Sequence, residues 1–217
     1  QAVRGQRQHY LPIQSKLTAS HALLDVVDAI LQAYAFDCVY IADLNALLQN
    51  PAQPDHQDHI RAAVQAFPQI EWWVDAGIRS PMQLATWVNL GVRPILASET
   101  LTDFASYQQL RDTAQTLHAD ALLSLDFFSD GFHGPQALLA QPTAWTNPTL
   151  LMSLPHVGSQ QGPDLHGLRQ MKQQQPQQRF YAAGGVRYQA DIDALAEAGA
   201  DGVLVASALH QQTLQLT

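Results

Sequence analysis

The chain has 217 residues, of which 47% are hydrophobic, a length and composition typical of one globular domain with a substantial core. The 11 lysines and arginines against 19 aspartates and glutamates give a formal net charge of −8, which disfavours binding to nucleic acid or to a membrane surface. The sequence has no apolar run of bilayer length, no signal-peptide core and a single cysteine, Cys38, so we expect a cytoplasmic protein without disulfides.

Short apolar runs of strand length alternate with segments of helical periodicity, a pattern typical of a parallel sheet. The predicted strands are Cys38 to Ile41, Glu71 to Val74, Pro94 to Ala97, Ala121 to Leu125, Leu150 to Leu154, Phe180 to Ala182 and Gly202 to Val205. These strands, with one more expected ahead of Ala2, favour a (β/α)8 TIM barrel over a doubly wound open sheet, because no Gly-x-Gly-x-x-Gly motif follows the first strand. We expect one barrel domain over residues 1–217, without its first strand.

Capping residues predict where the helices begin. The predicted caps are Ser20, Ser80, Asp103, Asp164 and Asp191. Pro81 follows Ser80 in the first turn of its helix, and Gly91 closes that helix. Residues 127–148 are rich in glycine and proline, which predicts a long loop with one short helix.

In a (β/α)8 barrel the functional residues lie where strands end and the following loops begin. Carboxylates follow the earlier strands, namely Asp43, Asp75, Glu99 and Asp126. Clustered carboxylates divide acid and base roles or hold a hard cation such as Mg²⁺, and helix capping or ion pairing with arginine is the structural alternative. Arg79 and Arg187 each follow a glycine-containing turn, where they would pair with these acids or with a substrate anion.

The later strands are followed by small and hydroxyl residues instead, namely Gly158, Ser159, Gly184, Gly185, Ala206 and Ser207. Glycine between a strand and a helix lets the backbone approach an anion, and the helix N-terminus supplies N–H donors. The last two predicted strands therefore indicate a phosphate site, with a tight strand-to-helix turn at the two adjacent glycines as the alternative. The nine histidines form no metal-binding signature, so no metal ligands are predicted.

Segments found in order over nearly the whole chain carry a resemblance to a known family. They are AVRG, YIADLNAL, VDAGIR, SETL, SLDF, VGSQQGPD, AAGGVR and GVLVASALH. Together they resemble the histidine-biosynthesis barrels, which include HisA, an isomerase of phosphoribosylformimino-AICAR ribotide, and the cyclase subunit HisF. Within this family the chain is most similar to the HisA/HisF-related branch of archaea and one-carbon-metabolising bacteria, often associated with tetrahydromethanopterin-type cofactor metabolism.

The resemblance implies a barrel with two phosphate sites and an aspartate pair, on strands 1 and 5, that serves an Amadori rearrangement. Asp126 matches the strand 5 aspartate, and Gly184, Gly185 and Ser207 match the phosphate site of the second half. The motif that would carry the strand 1 aspartate precedes AVRG and is missing from the sequence. The resemblance therefore names one acid–base residue and one phosphate site.

The first half of the chain departs from the family pattern. The turn that contains Gly77 is glycine-rich in the family, but in this chain it begins with Asp75. The loop after the next strand has small residues in the family, but here it contains Glu99. These two acids would repel a second phosphate. We expect one retained phosphate site and a substrate other than the family's bisphosphate.

The resulting expectation is an isomerase or lyase that acts on a phosphorylated sugar or phosphoribosyl-type metabolite. Asp126 and Asp43 are the catalytic candidates, and Asp75, Gly77, Arg79 and Glu99 are expected to bind the substrate beside the small residues of the later loops. No cofactor is expected apart from Mg²⁺, and the expected partner is a phosphorylated small molecule. The alternatives are a non-catalytic phosphate-binding partner subunit and the isomerase of histidine biosynthesis itself.

Overall fold

The computed structural model describes residues 13–48, 54–159 and 161–214. Its helices are α1 (Leu23–Ala33), α2 (Leu44–Leu48), α3 (Gln57–Ala66), α4 (Pro81–Val88), α5 (Phe104–Thr116), α6 (Gln136–Ala140), α7 (Leu165–Gln174), α8 (Gln189–Glu197) and α9 (Ser207–His210). Its strands are β1 (Cys38–Ala42), β2 (Glu71–Asp75), β3 (Arg93–Ala97), β4 (Leu122–Phe128), β5 (Gly131–His133), β6 (Thr149–Ser153), β7 (Phe180–Ala183) and β8 (Gly202–Leu204).

The strands follow one another in the sheet in the order β1-β2-β3-β4-β6-β7-β8. The pairs β1–β2, β2–β3, β3–β4, β6–β7 and β7–β8 are parallel. Helices alternate with these strands along the chain, which is the arrangement of a (β/α)8 barrel and confirms the predicted fold class. The strand expected ahead of Ala2 lies outside the described residues.

Each of the seven predicted strands overlaps an observed one, but the prediction for residues 127–148 was partly wrong. Strand β4 continues past Leu125 to Phe128, and the chain then folds back into the antiparallel strand β5. The one short helix expected in this region is α6, which a 3₁₀ turn at Pro142–Ala144 follows. The start of the expected loop is therefore a β-hairpin.

The described residues divide into two compact units. Unit 1 comprises the described parts of Gln1–Ala35, Leu125–His133 and Asn147–Thr217, and unit 2 comprises those of Phe36–Ser124 and Gly134–Thr146. In unit 1 the core includes Leu125, Leu150, Phe180 and Leu195. In unit 2 it includes Ile60, Trp72, Leu84, Ile95 and Leu110. Each unit thus buries strand residues together with helix residues, as a barrel sheet requires of its surrounding helices.

Three of the predicted helix caps are confirmed by side-chain hydrogen bonds to the first turn. Ser80, Asp103 and Asp164 accept from the backbone N–H of Gln83, Ser106 and Gly167, respectively. The prediction for Ser20 was wrong, because α1 begins after Ala22, and Ser20 instead donates to Asp25 at 2.6 Å. The prediction for Asp191 was also wrong, because α8 begins at Gln189 and Asp191 lies inside its first turn.

Cys38 lies half-buried in β1. Burial, reinforced by Glu71 and Asp37, raises the pKa of its thiol to about 12. The thiol therefore stays protonated at neutral pH and packs as a small side chain in the strand.

Candidate functional site

Carboxylates follow the first three strands of unit 2, as the sequence predicted. The parallel register pairs Ala42 with Asp75, and the Asp43 backbone N–H donates to the Asp75 carbonyl at 2.8 Å. Asp43 and Asp75 are therefore neighbours at the ends of β1 and β2. Glu99 is half-buried on a 3₁₀ turn, Ser98–Thr100, that directly follows β3.

Hydrogen bonds from the protein surround the Asp43 carboxylate. Its Oδ1 accepts from the backbone N–H of Asn45 and Ala46, at 3.1 and 3.2 Å, at the start of α2. The backbone N–H of His56 donates to Oδ2 at 2.7 Å, and Nδ1 of the His56 ring lies 2.9 Å from Oδ1. The Asp43 side chain is 0% exposed, and both of its carboxylate oxygens accept hydrogen bonds from the protein.

The end of β2 and the turn after it hold Asp75 and two more of the predicted site residues, Gly77 and Arg79. Asp75 is buried, and its Oδ1 accepts from the Gly77 backbone N–H at 3.2 Å. Gly77 has φ +58°, and a Cβ at this position would lie 3.1 Å from the Leu47 backbone, which favours glycine. Arg79 is exposed, and its Nη1 donates to the Gly77 carbonyl at 2.7 Å, so the guanidinium retains further N–H groups for an anion.

In unit 1, Asp126 lies in β4, 2% exposed, opposite His133 of β5 in the antiparallel ladder. The His133 ring stacks on Phe128, with centroids 4.1 Å apart, and its Nε2 lies 2.8 Å from Asp130. Hydrogen bonding to His133 lowers the pKa of Asp130. Asp126, the predicted acid–base residue of this unit, therefore lies in a β-hairpin opposite a histidine.

The loop after β6 contains the predicted residues Gly158 and Ser159. Gly158 has φ +68°, a conformation that favours glycine. The Ser159 hydroxyl donates to the His156 carbonyl at 3.0 Å, and the His156 ring lies 2.7 Å from the Ser153 hydroxyl. The Ser159 hydroxyl thus closes the turn by a bond within the loop.

The predicted residues after β7 and β8 lie at one edge of unit 1. The register pairs Ala183 with Leu204, so the loops that begin with Gly184 and Val205 leave the sheet side by side. In the part of the chain that the structure describes, the backbone N–H groups of Gly185, Ser207 and Ala208 donate to no protein group. Within the same residues the Ser207 hydroxyl has no hydrogen-bond partner. This edge therefore offers several unused donors.

Close packing also requires the two glycines of this edge. Gly184 has φ +109°, and a Cβ there would lie 2.5 Å from the Ser153 carbonyl oxygen. Gly185 has φ +85°, and a Cβ there would lie 2.2 Å from the Gly162 carbonyl oxygen. Both glycines are therefore required for the tight turn after β7, which was the alternative to a phosphate site, and this requirement does not depend on a ligand.

Arg187 forms a structural ion pair rather than an open anion site. Its backbone N–H and Nε donate to Oδ2 of Asp191 at 2.8 and 3.0 Å, and its Nη2 donates to Oδ1 at 2.9 Å. Hydrogen bonding to Arg187 lowers the pKa of Asp191, which is 8% exposed. Arg187 thus forms a structural ion pair, but with Asp191 rather than with one of the strand-end carboxylates expected as its partners.

An apolar pocket of about 90 Å³ lies in unit 1 between β6, β7 and α7. Phe127, Leu151, Leu168 and Met171 line it, and it extends to Gly184 at the edge with the unused donors. Nothing in the sequence pattern predicted this pocket, because it forms between side chains of elements distant in sequence.

His56 is the residue of these loops that the sequence interpretation missed. The nine histidines match no metal-binding motif, whereas the informative signal is the aspartate directly after β1 combined with a histidine at the start of α3. Throughout residues 13–48, 54–159 and 161–214, no three or more histidine, cysteine or acidic side chains are grouped to hold a metal ion. Over the same residues, no helix has the length and apolarity needed to cross a membrane.

Comparison with known proteins adds two findings. A family model described as "Histidine biosynthesis protein" matches residues 2–215. A protein of Methanocaldococcus jannaschii, described as uncharacterized, is 27% identical over 219 aligned positions, which cover 98% of this chain and 88% of that protein. The likeness extends over both units rather than over one motif.

Proposed function

Because the chain belongs to the histidine biosynthesis protein family, we propose that it is an isomerase or lyase acting on a phosphorylated sugar or phosphoribosyl-type metabolite. The observation that carries the proposal is the set of unused donors after β7 and β8, at Gly185, Ser207 and Ala208. A phosphate group has several acceptor oxygens and a negative charge, which match backbone N–H groups and a hydroxyl. The adjacent glycines leave no side chain between these donors and a bound anion.

Asp126 is the proposed general acid or base. In an aldose-to-ketose rearrangement the C2–H proton is removed while the C1 heteroatom gains a proton. The C2 hydroxyl then loses its proton as C1 gains one, so the double bond between C1 and its heteroatom is replaced by a C2–O double bond. A carboxylate takes up the first proton, and the same or a second group delivers the other.

The proposed substrate carries one phosphate. Asp75 and Glu99 follow β2 and β3 where the family has small residues, and their negative charge opposes a second phosphate. The exposed guanidinium of Arg79 and the carboxylates nearby suit a neutral or cationic group, or one bridged by Mg²⁺. The likeness to the archaeal and one-carbon-metabolising branch makes tetrahydromethanopterin-linked cofactor metabolism the proposed setting.

A thermal-shift titration tests the proposed phosphate site. Inorganic phosphate, ribose 5-phosphate and the histidine-pathway ribotide are added separately, with and without Mg²⁺. A ligand at about 100 times its dissociation constant adds about 2.7 kcal/mol of stability. Stabilisation by a monophosphate without preference for the bisphosphate ribotide is the expected result, and no stabilisation by any of the three contradicts the proposal.

A second candidate is a non-catalytic phosphate-binding partner subunit. It is favoured by the Asp43 carboxylate, whose two oxygens already accept hydrogen bonds from the protein itself. Phosphate binding without turnover of either ribose compound would support this candidate. Selective turnover of the ribotide would instead identify the isomerase of histidine biosynthesis.

A further inference from the structure

Asp43 and His56 form a close pair at the end of β1 in unit 2. The His56 backbone N–H donates to Oδ2 of Asp43 at 2.7 Å, and the ring Nδ1 lies 2.9 Å from Oδ1. These two contacts fix both the backbone and the ring of His56 against one carboxylate. The imidazole therefore has a defined orientation although its side chain is 47% exposed.

The other partners of the carboxylate determine which ring nitrogen carries the proton. Oδ1 of Asp43, the atom that faces His56 Nδ1, also accepts from the backbone N–H groups of Asn45 and Ala46. An oxygen that accepts from these donors carries no proton of its own, so Nδ1 of His56 is the donor. In the neutral ring Nε2 then carries the lone pair.

Nε2 of His56 remains available to a ligand. Among the described residues no group forms a hydrogen bond with it. The ring of His59 is a neighbour, at a centroid distance of 5.9 Å and tilted by 53°. Asp43 is fully enclosed, whereas His56 is exposed, so a proton reaches this pair through Nε2.

We propose that Asp43 and His56 are a proton-transfer dyad, in which the buried carboxylate holds the imidazole and the exposed Nε2 exchanges a proton with a bound small molecule. When Nε2 takes up the proton, an Nε2–H bond forms, a bond to hydrogen in the ligand breaks, and its electron pair stays on the ligand. The imidazolium is stabilised by Asp43, and the return step reverses each change. Asp43 is thus a positioning residue, and the inference rests on the proposed function for its substrate.

The tautomer of His56 provides a test that needs no substrate. Nitrogen-15 NMR of the full chain at about pH 8 is expected to show a protonated Nδ1 and an unprotonated Nε2 at His56. In Asp43→Ala no carboxylate accepts from Nδ1, so the preference for this tautomer should be lost. A wild-type ring protonated at Nε2 overturns the inference, and this spectrum decides the matter even where Asp43→Ala does not fold.

Diethyl pyrocarbonate provides a chemical readout, because it modifies unprotonated imidazole nitrogens. Peptide mass spectrometry of the wild type is expected to show His56 modified, because its Nε2 is unprotonated and the side chain is exposed, with His59 as the internal control. An unmodified His56 beside a modified His59 would contradict the dyad.

Turnover separates this inference from the proposed function. With the monophosphate selected by the thermal shift, His56→Gln is expected to lower kcat by about 10²-fold with little change in phosphate affinity, whereas His59→Gln is unchanged. Loss of activity in Asp126→Asn but not in His56→Gln would refute the dyad and leave the proposed function intact. Absence of any phosphate-induced stabilisation would refute the proposed function, while the NMR and modification results would still decide the dyad.

Discussion

The strand ends of the two units differ in how much of their hydrogen-bonding capacity the protein itself uses. In unit 2 the Asp43 carboxylate receives four hydrogen bonds from protein groups. In unit 1 the N–H groups of Gly185, Ser207 and Ala208 donate to no protein group within the described residues. The carboxylate after β1 is thus used by the protein itself, whereas the loops after β7 and β8 offer unused N–H donors.

This difference shows that a charged residue after a barrel strand is weaker evidence for a ligand-binding site than a polar group that has no hydrogen-bond partner in the protein. Asp43 looked as informative as Asp126 in the sequence, yet its carboxylate caps α2 and holds the start of α3. Ser207 is uncharged, and its hydroxyl has no described partner. We therefore expect the strand end at Asp43 to act mainly in stability and the strand ends at Asp126 and Ser207 to act in turnover and ligand binding.

The largest expected effect is on stability in unit 2. Asp43→Ala should lower the free energy of unfolding by about 3 kcal/mol, because it removes a cap and leaves several donors near the strand end without an acceptor. Urea denaturation measures this change. Asp28→Ala, at an exposed residue bonded to Gln32, is the control and should change stability by no more than about 0.5 kcal/mol. A small loss for Asp43→Ala would show that its hydrogen bonds contribute little.

The next effect is on turnover in unit 1. Asp126→Asn should lower kcat by about 10²-fold or more, since a positioned acid or base contributes at least that factor. Steady-state kinetics with the stabilising monophosphate measure it, and Asp130→Asn, at an exposed residue of the same hairpin, is the control. Turnover within about threefold of wild type would remove Asp126 from the mechanism.

A third and smaller effect concerns the unused donors. Ser207→Asp should weaken the binding of inorganic phosphate by at least about tenfold, because it places a negative charge beside the proposed anion position. Isothermal titration calorimetry compares it with Gln115→Glu, which adds the same charge on the exposed surface of α5. Equal weakening in both variants would point to net charge rather than to a site.

The smallest effect is a pH dependence of stability. Arg187 holds the pKa of Asp191 below its ordinary value, so the folded state releases this proton more readily than the unfolded state. The resulting stabilisation is fully present above the ordinary aspartate pKa, about 4, and is lost as the pH falls through the lowered value. Denaturation curves between pH 7 and pH 3 should show that the free energy of unfolding falls less steeply with decreasing pH in Asp191→Asn and in Arg187→Met than in the wild type. An unchanged slope in both would contradict the assignment.

The sequence predicted the parallel strands well because each is a short run of apolar residues between polar segments. It missed β5, because Gly131–His133 is three residues long, begins with glycine and depends on pairing with β4. It also missed α2 and α3, since α2 has only five residues and α3 has few apolar ones. Short elements are specified by tertiary contacts that a local pattern does not contain.

For the site, the sequence predicted which residues lie at the strand ends but not how they are bonded. The engagement of Asp43 by His56 links two positions across the start of α3, and only the fold brings them together. The pairing of Arg187 with Asp191 is local, at i and i+4, but Arg187 precedes α8, so the helical pattern did not indicate it. The roles predicted for Asp126 and for the phosphate residues remain predictions.

The carbonyl oxygens that face Gly184 and Gly185 have a consequence for mutational tolerance. In a saturation-mutagenesis library, any side chain at either position meets the Ser153 or the Gly162 backbone, so selection for folding alone will keep both glycines. If both glycines are retained in every folded variant of the library, this shows that packing requires them and does not show that they bind a ligand. Ser207, whose hydroxyl no described neighbour uses, is the position at which substitution frequencies report on a ligand.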